Sequence, residues 1–291
     1  MTDRPSVAVQ ELDTLREEIS ERMRAGQLKL PGLPDIAIRV RQVIDRTNYS
    51  TAELARVIQS DIPLTARLIQ VANCPLYKSA QPVEHVHAAI NRLGANVVKS
   101  LVTSFALRRV YAAKSKVTNR LAERSWKHSL QVATLAFALA RVTPRLDPEH
   151  VMLAALVHDI GLLPVLAYAE TDTTLQQAES RLQEVVDHCR VQLGVDVLKM
   201  WRFDDEFADV VRNAENWNYD HPGVANNSDV VIIAQLLASK LAGEGQDLPE
   251  PESLPAHGKF PLFKLGRAAY LELIAEAKDE MAELTRLLSV A

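Results

Sequence analysis

Between Thr118 and Gly161 the chain reads TNRLAERSWKHSLQVATLAFALARVTPRLDPEHVMLAALVHDIG. Leu121, His128, Val132, Leu135 and Leu139 recur at helical spacing, so Thr118 to Val142 forms one long helix with His128 on its inward side. Pro144 stops that helix, and Asp147-Pro148-Glu149 opens the next one. From Val151 to Val157 this second helix is apolar almost all round, which is the pattern of a buried helix. His158 and Asp159 end it, and an ionised carboxylate at such a place is costly unless something pairs with it. If the two helices run antiparallel side by side, His128, His158 and Asp159 meet. Two imidazoles and a carboxylate suit a first-row divalent ion, and they equally suit a buried hydrogen-bond network.

Working outward, the same helical periods continue on both sides. From Val86 to Tyr111 apolar residues repeat, with Gly94 marking a break between two helices. Asp61-Ile62-Pro63 opens a helix that Asn73-Cys74-Pro75 closes, and Ser50 to Glu53 reads as a capping box. Leu30-Pro31-Gly32-Leu33-Pro34 interrupts the chain after an amphipathic first helix carrying Leu12, Leu15, Ile19 and Met23. Towards the C-terminus, Val230 to Ile233 belongs to a helix running to Leu241. The stretch Gly243 to Ser253 has linker composition, and Tyr270, Ile274, Ala277, Met281, Leu284 and Leu288 form an apolar seam. That seam needs a partner: the body of the protein, the N-terminal helix or a second subunit. Strand signals are weak throughout, so an all-α protein is expected.

Of 291 residues, 47% are hydrophobic, enough for a substantial core. Lys and Arg number 33 against 37 Asp and Glu, and a net charge of -4 supplies no basic field for nucleic acid. Two cysteines fit a reducing compartment, and no leader or bilayer-length apolar run is read, so a cytoplasmic protein without membrane attachment is expected. Neither a dinucleotide fingerprint nor a phosphate loop occurs. The pair His188-Cys189 suggests a thiol with its base, yet helix neighbours point roughly 100° apart.

Six short motifs stand in an order that resembles the HDOD domain. They are Leu30 to Pro34, Asp61 through Leu68 with Ala72-Asn73, Tyr77, Ala89-Ile90 through Leu93-Gly94, Trp126 to Ser129, and Leu156 to Gly161. The resemblance implies a helical bundle like that of the HD phosphohydrolases, including the HD-GYP phosphodiesterases, with an N-terminal helical subdomain. The division it suggests is an N-terminal helix over 1–29, an HDOD domain over 30–242 made of bundles 30–113 and 117–242, a linker over 243–261 and a C-terminal helix over 262–291. It further implies that His128, His158 and Asp159 match the first metal ligands of the HD superfamily. The later carboxylate of active relatives falls on Gln235, a neutral and weaker ligand. Their paired histidines fall near Glu215, Asn216 and Trp217, leaving His221 as the one compensating candidate. The Gly-Tyr-Pro segment that names the HD-GYP enzymes does not occur.

The expectation is thus a noncatalytic signalling module, with a vestigial site at His128, His158, Asp159 and Gln235, acting on a protein partner as a monomer or homodimer. No cofactor is expected, with a divalent metal at His128, His158 and Asp159 as the exception. The alternative is a metal-dependent phosphohydrolase with a degenerate site.

Overall fold

Capping residues, prolines and glycines set the helix boundaries in the computed structural model. It describes residues 7–28, 30–77, 79, 81–243, 247–260, 272, 275, 276, 279, 282 and 284–289. In the N-terminal half, α1 (Val7–Arg24), α2 (Asp35–Ile44), α3 (Thr51–Gln59), α4 (Ile62–Asn73), α5 (Val86–Leu93) and α6 (Ala95–Val110) follow one another. Next come α7 (Lys116–Arg141), α8 (Pro148–Val157), α9 (Leu162–Ala169), α10 (Thr173–Gln177), α11 (Glu179–Met200), α12 (Asp205–Asn213) and α13 (Asn227–Ala242). No strand occurs among the described residues, and the protein is all-α.

Local chemistry explains the boundaries. Side chains of Ser50, Asp61, Ser115, Asp147 and Asn226 each accept from a backbone N–H in the first turn they cap. Only the first half of the capping box expected at Ser50 forms, because the Glu53 carboxylate pairs with Arg46 instead of reaching back. A reciprocal box does form at α13, between Asn226 and Asp229. Gly94, at φ 82°, takes the left-handed geometry that ends α5 and starts α6.

The apolar α8 packs against α6, α7, α12 and α13, and Val151 to Val157 are all buried. One segment reaches spanning length after all: Pro148–Ala169 is apolar enough to cross a bilayer by composition, but 89% of its most apolar 18-residue stretch is buried inside the protein. It is core, broken at His158 to Gly161 by turns. The α1 stripe of Leu12, Ile19 and Met23 is buried and packs on α9 and α11.

The stretch of linker composition is not bare chain where it is described. It continues into two 3-10 turns, Pro251–Ser253 and Pro255–Lys259, that pack on α13 and bury Leu254, Ala256 and Phe260. Of the apolar seam, Leu284 and Leu288 are fully buried within the chain. Thr285 Oγ1 lies 3.4 Å from Thr134 Oγ1 on α7, and Arg108 Nε on α6 donates to the Ser289 carbonyl at 3.3 Å. Tyr270, Ile274, Ala277 and Met281 lie outside the described residues.

Candidate functional site

Five segments converge at the deep end of α8, each fixed by its own local chemistry. The start of α7 is tied down by Ser115 as N-cap and by Glu170, whose Oε1 accepts from the Lys114 and Ser115 amides at 3.0 Å each. This anchor sets the register that carries His128 towards α8. His158 is the C-cap of α8, and its Nδ1 donates to the Ala155 carbonyl at 2.7 Å. That bond fixes the tautomer and leaves Nε2 as a bare lone pair. Burial is the largest influence on His158 and holds its pKa below the usual imidazole value, so the ring is neutral at pH 7.

The expected trio is brought together. The His128 and His158 rings lie 5.5 Å apart between centroids, and ligand atoms of His128, His158 and Asp159 fall within 4.8 Å of one another. Around them runs an almost closed chain of polar contacts. His128 Nε2 meets Gln235 Oε1 at 2.7 Å, and Gln235 Nε2 donates to Glu215 Oε1 at 3.1 Å. Arg190, on α11, bonds Glu215 Oε2 through NH2 and Asp159 Oδ1 through NH1, the latter at 2.5 Å. His158 Nε2 completes the circuit 3.4 Å from Asp159 Oδ2, a close approach without hydrogen-bonding geometry. Two acceptors face each other there, so no bond can form between them.

Donor roles follow from this circuit. Glu215 accepts from the Gln235 amide nitrogen, so the amide oxygen faces His128, and His128 Nε2 must carry the proton. Burial alone would raise the Asp159 carboxyl, but the positive fields of His158, when protonated, and Arg190 prevail and hold its pKa at about 2. With His158 neutral, Arg190 supplies that field near pH 7. The circuit opens onto a cavity of about 270 Å³ lined by Arg124, Ser125, Asp187 and Ser239 among others.

As arranged, these residues do not fit a divalent metal. His128 presents an N–H rather than a lone pair, Asp159 is engaged by a guanidinium, and Gln235 is neutral. Only His158 Nε2 is ready to coordinate.

The other sequence candidates lie elsewhere. His221 Nε2 pairs with Asp229 Oδ2 at 2.7 Å, near the start of α13, six positions before Gln235 and roughly 9 Å along the helix. It therefore does not compensate for the missing histidines. Asn216 Nδ2 donates to Asn213 Oδ1 at 3.3 Å, outside the circuit. His188 pairs with Asp13, while burial pushes the Cys189 thiol up to about 11, so this pair is no activated nucleophile. Arg190 is the residue that sequence reasoning missed. Its signal is a charge on a buried stripe, four residues from both Val186 and Gly194.

Comparison with known proteins agrees with this fold. The HDOD domain family model matches residues 30–217. A structure from Shewanella amazonensis SB2B, provisionally described as a metal-dependent phosphohydrolase, is 27% identical. It superposes with a TM-score of 0.78 over 93% of this chain and 99% of the other. An HDOD domain protein with unknown function from Geobacter sulfurreducens is 21% identical, with a TM-score of 0.64 over 94% of this chain and 97% of that one. A protein from Marinobacter aquaeolei VT8, provisionally described as a signal transduction protein, gives 22% identity and a TM-score of 0.64, covering 97% and 66% of the two chains. No curated protein matches in sequence.

Proposed function

The chain belongs to the HDOD family, and from that premise we propose that it is a noncatalytic regulatory module that acts by binding a signalling protein. The observation that carries this reading is the His128–Gln235–Glu215 relay. Where hydrolysis needs a metal with an open position and a water of lowered pKa, this site offers a neutral amide already bonded on both sides. The module is read as cytoplasmic and as working without nucleic acid, membrane or cofactor, consistent with its net charge of -4. The cluster then serves as a polar keystone between α7, α8, α11 and α13, keeping the rest of the surface in one shape for its partner.

A second reading, a metal-dependent phosphohydrolase, is favoured by the bare His158 Nε2 and by the description of the Shewanella relative. One experiment separates the two. The full chain is incubated with a generic phosphodiester, nucleotides and cyclic dinucleotides in the presence of manganese, magnesium or zinc. No turnover above background is expected. Metal-dependent turnover abolished by His158→Ala would overturn the noncatalytic reading.

A further inference from the structure

The start of α8, eight residues and roughly 12 Å along the helix from His158, borders a second cavity of about 630 Å³. It lies between α2 and α6 on one side and α8, α12 and α13 on the other, and shares no lining residue with the cavity beside His128. Four helices begin on its wall. Asn96 stands in the first turn of α6, Asp147 caps α8, Asp204 precedes α12 and Asn226 caps α13. No side chain caps α6 or α12, which leaves N–H groups in their first turns for another acceptor. Four positive dipole ends at one cavity favour an anion there.

Three side chains support this independently. Arg145 lines the cavity, is exposed, and makes no hydrogen bond or ion pair among the described residues. Its φ of 71° is a left-handed conformation that is unfavourable for any residue with a Cβ. Ser100 and Ser228 are only 5% and 3% exposed, yet their hydroxyls line the cavity without a hydrogen-bond partner among the described residues. The acids of the wall are already engaged: Asp147 accepts the His150 amide, Glu206 meets His150 and Asn227, and Asp209 pairs with Arg212. Asp204 lies in the fields of Arg41 and His150. Phe203 and Phe207, edge to face with centroids 4.9 Å apart, and Tyr219 complete the lining with a surface for a planar ring.

We propose that this cavity binds a small organic phosphate carrying an aromatic ring, with Arg145 and the uncapped first turns of α6 and α12 on the phosphate and the aromatic wall on the ring. Its volume falls within the roughly 300 to 1,000 Å³ of small-molecule sites. Donors arriving from separate segments suit a tetrahedral phosphate, whose oxygens diverge, better than a planar carboxylate. The inference goes beyond the noncatalytic reading and does not depend on it.

The test is calorimetric titration of the full chain with naphthyl phosphate in the presence of a metal chelator, with inorganic phosphate and naphthol as the two halves of the probe. Naphthyl phosphate is expected to bind with a Kd below about 1 mM and about tenfold or more tightly than either half. Arg145→Ala should weaken it about tenfold, the effect of one lost charge-assisted hydrogen bond. Arg145→Gly should weaken it equally while relieving the backbone, which separates charge from strain. Arg120→Ala, an equal loss of charge outside the cavity, should leave binding unchanged. The proposal is overturned if naphthyl phosphate does not bind, if either half binds as well as the whole, or if both Arg145 variants bind like the native protein. Loss of binding in His158→Ala, with the Arg145 variants unaffected, would place the probe beside His128 and equally overturn it. Phosphodiester turnover by the native protein is a separate outcome that sinks the noncatalytic reading alone.

Discussion

Replacing Gly161 by alanine tests whether the contact between α11 and the His158 to Gly161 turn organises the site. Gly161 has φ -67° and ψ -9°, a conformation alanine adopts freely, so the backbone itself raises no objection. Judged by conformation alone, the substitution would stabilise the protein by about 0.4 to 1 kcal/mol through the unfolded chain. Space argues the other way. The added Cβ would fall 1.8 Å from the Arg190 carbonyl oxygen and 2.6 Å from both the Arg190 carbonyl carbon and the Gly194 amide nitrogen. All three are backbone atoms, which cannot swing aside as a side chain would. Helix α11 must therefore retreat by roughly 1 Å, and a gap of that size forfeits about a quarter to a half of each dispersion contact it opens.

Overpacking of this kind costs about 1 to 3 kcal/mol, occasionally more. With backbone on both sides, the expected loss is about 3 kcal/mol, or about 6 to 12 °C in melting temperature. Gly194→Ala supplies the graded control, since its Cβ meets a side-chain atom, Val211 Cγ1, at 3.0 Å and the Gly161 amide nitrogen at 3.2 Å. It should cost about 1 kcal/mol. Gly32, with nothing within 4 Å, should tolerate alanine within about 0.5 kcal/mol. Urea denaturation of the three variants reads all of this. A Gly161→Ala protein as stable as the native one, or less affected than Gly194→Ala, would refute the packing argument and with it the account of how Arg190 is positioned.

Two further outcomes follow from the same geometry. The Asp159 carboxyl titrates at about 2 in the folded protein, against 3.8 as its ordinary value, so between those pH values the unfolded chain binds more protons. Its contribution is present above about pH 4 and is lost as pH falls towards 2, a loss of about 2 kcal/mol. Urea midpoints measured from pH 5 to pH 2.5 should show that decline and show less of it in Asp159→Asn; equal acid slopes would count against the Arg190 pairing. At the other end of the molecule, Leu288 is fully buried, so Leu288→Ala should cost about 2 to 5 kcal/mol, and a loss below about 0.5 kcal/mol would mean that the C-terminal segment does not pack within its own chain.

Much of the fold was legible because helices announce themselves through local chemistry. Pro63, Gly94, Pro144 and the cap at Asp147 act within one turn of where they stand, and each boundary falls where they place it. The fully apolar α8 was legible as buried for the same reason: no face of it is fit for water. The missing half of the Ser50 capping box shows the limit of such reasoning, since Glu53 has a choice of partners and pairs with Arg46. Sequence spacing measures only what lies on the same helix.

The site divides along the same line. His128, His158 and Asp159 were legible as a group because they lie on consecutive helices joined by a short connection, so their meeting needs only antiparallel packing. The remaining members are joined by contacts that no local rule encodes. Arg190 reaches Asp159 across 31 positions and Glu215 across 25, while Gln235 reaches His128 across 107. Gln235 read in isolation is a weakened ligand. In place, it fixes the proton on His128 by presenting an oxygen on one side and an N–H to Glu215 on the other. Arg190 read in isolation is a charge on an apolar stripe, but bridging two carboxylates makes it the group whose loss exposes the most unpaired charge. The neutral Gln235 and the internal cation Arg190 thus belong to one arrangement. An uncompensated Asp159 would be too costly to bury, so this aspartate needs a cation beside it, and α11 delivers one in Arg190.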